Sequence, residues 1–313
     1  MNAIATTITL TNDLLTGMEW TSAQVRELFD LAREVKAQPE RYRSALAGRS
    51  LALIFEKPSL RTRVTFEVGI ASLGGSSVFL DHTTTRLGER ESVPDVAKCL
   101  ERWIHGIVAR VFAQETLDEL AANARVPVIN ALSDQFHPCQ ALADFFTLEE
   151  RFGGLRGLKF AYVGDGNNMC HSLMLAGARV GAHIKVATPA GYEPDAAIVA
   201  EAKRAARETR GKIEVLRSPE DAVAGAQAVY TDVWASMGQE QEATAREAAF
   251  AGYQINEELL SHAARNAIFL HCLPAHRGLE VSGGVIDSPR SIVFEEAENR
   301  LHVQKAILLT LMS

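Results

Sequence analysis

Cysteine is scarce in this sequence: only 4 of 313 residues, Cys99, Cys139, Cys170 and Cys272, and no two of them are spaced Cys-x-x-Cys. That pattern supports neither a zinc site nor a disulfide framework. No apolar run approaches the ~20 residues that cross a bilayer. Met1 to Thr11 show no basic stretch followed by an apolar core, so no signal peptide is expected and the cytoplasm is the expected compartment. Positive charge is also in short supply. With 32 Lys and Arg against 39 Asp and Glu the net charge is −7, which gives no support for binding nucleic acid or an anionic membrane. Any anion must therefore be held by arginines gathered locally. What remains, 47% hydrophobic and 23% charged residues, is ordinary globular composition. The length suits two domains of about 150 residues each.

Strand-like and helix-like runs alternate along the chain, which predicts parallel βαβ units and an α/β fold. Ser22 to Ala37 has helical periodicity. Leu51 to Phe55 reads as a strand, followed by a helix from Leu60 in which Val64, Val68 and Ala71 are expected to form one buried stripe. Ser77 to Leu80 is a second strand, and Asp81 to Ser92 is polar and expected to be a mobile loop. A helix over Val93 to His105 precedes strands at Gly106 to Phe112 and Val126 to Asn130. The helix Gln140 to Phe152, stopped by Gly153-Gly154, is expected to bridge two domains, residues 1–150 and 151–298. The second domain repeats the alternation, with strands at Leu158–Val163, His183–Ala187, Lys212–Leu216, Ala228–Val233 and Ala267–Cys272. Helices over Met169–Val180 and Pro194–Thr209 lie between them. A long polar stretch, Trp234 to Gly252, is a candidate lid. The last helix, Asn299 onward through 313, is expected to pack back on the first domain. Each domain would then hold a parallel sheet flanked by helices, with helices bridging the two.

The stretch Phe55-Glu-Lys-Pro-Ser-Leu-Arg-Thr-Arg63 turns a strand sharply into a helix. Such a turn aims free backbone N–H groups and the positive end of a helix dipole at one spot, which suits phosphate. Ser59, Arg61, Thr62 and Arg63 add hydroxyl and guanidinium donors. An ordinary capped helix with solvated arginines is the bland alternative. The nucleotide P-loop is not, because Gly-x-x-x-x-Gly-Lys is missing. Arg110 ends a strand, and His137-Pro-Cys-Gln140 opens the bridging helix, where an imidazole or amide N–H can meet a carbonyl oxygen that gains negative charge. Val163-Gly-Asp-Gly-Asn-Asn168 sits between strand and helix as a dinucleotide loop would. Met169 stands where the third glycine belongs, and Ala187-Thr-Pro189 ends the next strand without an acid, so a nicotinamide cofactor is disfavoured. Asp232-Val-Trp-Ala-Ser-Met-Gly238 offers a carboxylate, a hydroxyl and backbone groups suited to the charged groups of an amino acid. His271-Cys-Leu-Pro274 places a thiol at a strand end, and Glu298-Asn-Arg300 lies in the last helix.

These motifs, in this order, resemble those of the aspartate/ornithine carbamoyltransferases, and the resemblance runs from about Ser22 to the C-terminus. It implies a reaction in which the carbamoyl group of carbamoyl phosphate passes to an amine, with no metal and no organic cofactor. It further implies that Ser59, Leu60, Thr62, Arg110 and Arg86 grip phosphate, while Arg61, His137, Gln140 and Arg300 orient the carbamoyl group. Asp-x-Trp-x-Ser-Met-Gly is the form found in members that use L-ornithine. In that reading Asn168, Asp232, Ser236 and Met237 hold the α-carbon end, and Cys272 and the Leu273 carbonyl aim the δ-amine, beside the carbamoyl group. Cys272 is not expected to be a nucleophile, because carbamoyl phosphate is already activated. Two departures stand out: Arg86 occupies a place usually held by Gln or His, and Leu60 replaces a common Thr. The resemblance also implies a homotrimer, with Arg86 reaching a neighbouring subunit's site. Rival readings are a different acceptor (putrescine, an acylated ornithine or aspartate), a nicotinamide-dependent oxidoreductase, or a non-catalytic binding homologue.

Overall fold

The computed structural model describes residues 13–81, 87–235 and 240–313. Arg86, Ser236 and Met237 lie outside them, as does part of the Asp81–Ser92 loop. The strands are β1 Ser50–Phe55, β2 Ser76–Asp81, β3 Gly106–Arg110, β4 Val128–Leu132, β5 Lys159–Val163, β6 His183–Ala187, β7 Lys212–Leu216, β8 Ala228–Tyr230 and β9 Ile268–Leu270. The α-helices are α1 Ser22–Ala37, α2 Leu60–Ser72, α3 Val93–Leu100, α4 Gln114–Asn123, α5 Pro138–Phe152, α6 Asn168–Val180, α7 Ala196–Thr209, α8 Pro219–Val223, α9 Ala243–Ala249, α10 Glu257–Ser261, α11 Gly283–Ile286 and α12 Val293–Met312.

They build a four-stranded sheet ordered β2-β1-β3-β4 and a five-stranded sheet ordered β7-β6-β5-β8-β9. Every pairing between these strands is parallel, so the α/β class and the two flanked parallel sheets are as the alternation predicts. In each sheet the order reverses once, beside β1 and β3 in the first and beside β5 and β8 in the second. Loops at the carboxyl ends of strands diverge at such switch points and leave a crevice.

Two helices lie between the sheets. Along α5 every residue from Pro138 to Leu148 is buried, and Phe145 meets Phe160 of β5 with ring centroids 5.6 Å apart. The helix ends at Gly153 with φ 72°, a left-handed cap that a side chain would strain. The last helix, α12, starts at Val293 rather than Asn299 and packs against α1, α2 and α5. Burial of long side chains such as Ile307 and Leu308 stabilises this contact by about 1.5–3 kcal/mol each.

One expectation is reversed. On α2 the buried residues are Thr62, Phe66, Gly69 and Ile70, while Val64 and Val68 are 46% and 47% exposed and Ala71 is exposed too. The two faces of this helix carry similar hydrophobicity, so periodicity could not choose between them; contact with α12 does. Other differences are boundary shifts. Strand β4 begins at Val128, two residues late, and α3 stops at Leu100.

Candidate active site

Phosphate-suited groups gather at the first switch point. Ser59 caps α2, its Oγ accepting from the Thr62 N–H at 3.3 Å, while Leu60 is exposed. Strand β3 delivers Arg110 beside this turn, 6% exposed. From α12, Arg300 donates through Nη2 to Thr62 Oγ1 at 2.8 Å and through Nη1 to Gln140 Oε1. Thr62 thus accepts from one cation and keeps its own O–H to give. Arg61 is half-buried and, among the described residues, its side chain makes no hydrogen bond or ion pair. Arg63 does not join the group: it pairs with Glu67 at 3.0 Å and lies 3.6 Å over the Phe79 ring.

The gathering is strongly electropositive. Burial and the neighbouring Arg300 push Arg110 down to about 10, still cationic at neutral pH. Burial, then Arg300, Arg110 and Arg61, hold His137 well below the usual histidine range, so its imidazole is neutral. Among the described residues its Nδ1 is buried without a hydrogen-bond partner, as are Arg110 Nε and Arg300 Nε. Unpaired buried polar atoms of this kind are costly, and the two arginines lie within electrostatic reach of the imidazole.

Acceptor-suited groups gather at the second switch point. Asp232, just after β8, accepts from Asn167 Nδ2 at 2.9 Å and from the Cys272 thiol at 3.1 Å. Asn167 Oδ1 meanwhile caps α6 through the Met169 and Cys170 N–H groups. Asn168 donates to the Ser133 carbonyl at 2.6 Å, which ties the glycine loop to the first sheet. Gly166 is required by space: a Cβ there would lie 2.2 Å from Pro194 N. The glycine therefore serves a close backbone crossing. Leu273 has left-handed backbone at φ 56° and precedes a cis peptide to Pro274. Its N–H donates to His271 Nδ1 at 2.9 Å.

The two halves meet at Cys272. Burial and the carboxylates of Asp232 and Glu296 raise its thiol well above the ordinary value, which agrees with a positioning thiol and not a thiolate nucleophile. It lies within electrostatic reach of Arg110 and Arg300. Asp232, His271 and Cys272 place ligand-type atoms within 4.8 Å of one another. Both His271 nitrogens are engaged, Nδ1 by Leu273 and Nε2 by Glu280 at 3.2 Å, so the trio does not make a ready metal site. A cleft of about 890 Å3 opens alongside, lined by Lys57, Asp134, Asn167, Asn168 and Arg246, among others.

Several contributors were not anticipated. Lys57 is 8% exposed and lies 4.5 Å from the Phe112 ring centroid. Arg246 of α9 donates to Asp165 Oδ2 at 2.8 Å and to the Trp234 carbonyl at 2.9 Å, so it ties α9 to the glycine loop after β5 and to the chain just past Asp232. Gln140 gives its amide hydrogens to Asp144 and Glu296 at 2.7 and 2.9 Å, leaving none to donate to a substrate carbonyl. Lys57 adjoins a recognised motif; nothing local marked Arg246 or Glu296.

An arginine-lined anion cradle facing a carboxylate and thiol across one crevice defines a group transferase acting between an anionic donor and a cationic acceptor. Residues 12–150 match the carbamoyl-P binding domain of aspartate/ornithine carbamoyltransferase, and residues 156–311 match its Asp/Orn binding domain. The chain belongs to the aspartate/ornithine carbamoyltransferase family. It is 50% identical over 315 residues to an ornithine carbamoyltransferase of Anoxybacillus flavithermus, covering 100% of both chains. It is 52% identical over 303 residues to that of Symbiobacterium thermophilum, covering 96% of this chain and 98% of the relative. The solved ornithine carbamoyltransferase from Pyrococcus furiosus superposes with a TM-score of 0.93 at 48% identity, covering 96% of each chain.

Proposed function

We propose that this chain transfers the carbamoyl group of carbamoyl phosphate to the δ-amine of L-ornithine, giving L-citrulline and phosphate, in arginine metabolism. The observation that carries this reading is Cys272, bonded to Asp232 and within the field of Arg110 and Arg300, with relatives named for ornithine along the whole chain.

Phosphate would sit on the Ser59–Thr62 turn and Arg110, with Arg86 added from outside the described residues. Arg61, Arg300 and neutral His137 would polarise the carbamoyl carbonyl. Gln140, its hydrogens spent, can offer the carbamoyl NH2 only the second lone pair of Oε1. Asp232, Asn168, Ser236 and Met237 would hold the α-carbon end of ornithine, and Cys272 with the Leu273 carbonyl would direct the δ-amine. The amine nitrogen bonds to the carbonyl carbon. The resulting oxyanion is stabilised by fixed donors, the bond between that carbon and the bridging oxygen breaks, and phosphate leaves with the electron pair and takes the proton that the amine sheds. A free alkyl amine titrates near ~10.4. The arginine field and burial favour its neutral, nucleophilic form.

The domain division at 150, with residues 299–313 returning to the first domain, belongs to the same reading. So does a cytoplasmic homotrimer. Exposed Leu60, Val64 and Val68 on α2 and Val78 on the edge strand β2 make an apolar stripe beside the phosphate turn, which supports association there. Among the described residues no helix is long and apolar enough to cross a membrane.

The test is citrulline formation from carbamoyl phosphate and ornithine, run beside carbamoylation of putrescine, N-acetylornithine and aspartate. Turnover with ornithine alone is expected. Turnover with another amine would overturn the acceptor assignment and keep the donor half.

A further inference from the structure

Two acids lie buried behind the site, and the chemistry above does not use them. Asp144 is 0% exposed on α5, one turn from Gln140, and Glu296 is 1% exposed on α12, one turn from Arg300. Gln140 Nε2 donates to Asp144 Oδ1 at 2.7 Å and to Glu296 Oε1 at 2.9 Å. A guanidinium can only donate, so Arg300 fixes which end of the Gln140 amide is oxygen, and the two acids consume both hydrogens. Glu296 reaches further. Its Oε1 accepts from Tyr230 OH at 3.3 Å at the end of β8, and its Oε2 from the His271 N–H at 3.0 Å. His271 begins the segment that carries Cys272 and Leu273. One carboxyl group therefore touches the donor half-site and the backbone of the acceptor half-site.

The acids are also within hydrogen-bonding reach of each other, and burial raises the pKa of both, Glu296 further because Asp144 lies against it. Buried carboxyl groups this close hold one proton between them. Arg300 balances the remaining charge.

We propose that Asp144 and Glu296 are positioning residues for the carbamoyl transfer, holding the Gln140 amide oxygen on Arg300 and tying that pair to the His271–Leu273 segment. The inference rests on the function proposed above.

The experiment measures kcat and both KM values for the full-length wild type, Glu296→Gln, Asp144→Asn and Asp144→Ala, with thermal unfolding and active-site titration of each. Both oxygens of Glu296 accept, so a glutamine must turn its NH2 against a donor. Glu296→Gln is expected to lower kcat/KM for carbamoyl phosphate about 10²-fold, the scale of a small misplacement, with both KM values raised. An asparagine at 144 can accept from Gln140 and donate to Glu296, replacing the shared proton. It is expected to stay within about threefold of the wild type while alanine does not. A purely structural role would lower the melting temperature or the active fraction and leave both KM values alone. Unchanged KM values in Glu296→Gln would overturn the proposal, as would Asp144→Asn as impaired as Asp144→Ala. If Glu296→Gln does not fold, the comparison at Asp144 decides. A wild type that makes no citrulline would instead overturn the functional reading itself.

Discussion

Thr62→Val removes one oxygen from the phosphate turn and keeps the shape of the side chain. Thr62 is 1% and Arg300 2% exposed, and Nη2 of the arginine donates to Oγ1 at 2.8 Å. The substitution leaves a buried guanidinium N–H unpaired. It also removes the hydroxyl hydrogen available to phosphate. A hydrogen bond to a charged group contributes about 1.5–3 kcal/mol, and each ~1.4 kcal/mol is a factor of ten. Initial rates of citrulline formation at saturating ornithine should therefore show kcat/KM for carbamoyl phosphate lowered roughly 10- to 100-fold. Thr65→Val is the matched control. Thr65 lies on the same helix, and its hydroxyl donates only to the Arg61 carbonyl at 2.7 Å and, longer, to that of Thr62. Its loss should cost less than ~1 kcal/mol. If the two variants fell within about twofold of each other, Arg300 would not be held by Thr62 in the working enzyme.

Other outcomes follow from the same geometry. Thiol labelling of the native protein at neutral pH should modify exposed Cys99 ahead of Cys272, whose thiol pKa is raised by burial and Asp232; peptide mass mapping reads the order, and Cys272 labelled first would contradict it. His137 is held below its ordinary value, so the unfolded chain takes up a proton that the native imidazole refuses, and stability is lost as pH falls below about 6.5. The drop in melting temperature from pH 7 to 5 should accordingly be smaller in His137→Asn than in the wild type. Gly166→Ala sets a Cβ against the backbone at Pro194, and should raise the KM for ornithine more than that for carbamoyl phosphate. Val64→Lys with Val68→Lys should leave the fold intact by circular dichroism and reduce the assembled mass in light scattering; an unchanged mass would move the interface elsewhere.

How much could be read from the chain depends on how locally each feature is encoded. The bounds of α1, β6 and β7 were legible, because apolar period and terminal breakers coincide there. So were the switch-point loops and the end of α5, because Ser59, Asn167 and Gly153 act on neighbours within a few residues. The buried face of α2 was not legible. Val64 and Val68 look as apolar as Phe66 and Ile70, and only the distant helix α12 decides which side is covered. The surroundings of Gln140 were hidden for a similar reason. Its partners Asp144 and Glu296 come from two helices 152 residues apart in sequence, and a glutamine's hydrogens are assigned by what surrounds it. Asn168, expected at the ornithine end, spends a hydrogen on the Ser133 carbonyl. That contact links the sheets and leaves the second amide hydrogen and Oδ1 uncommitted among the described residues.

The central claim is that the donor cradle of the first sheet and the acceptor pocket of the second close on one reacting centre. A compound carrying a phosphonoacetyl group on the δ-nitrogen of ornithine spans both halves and tests this directly by calorimetry. Binding at least about 10²-fold tighter than phosphonoacetate or ornithine alone is predicted, as expected of a mimic of the joined reactants. Affinity no better than that of phosphonoacetate would mean that the two half-sites do not act together.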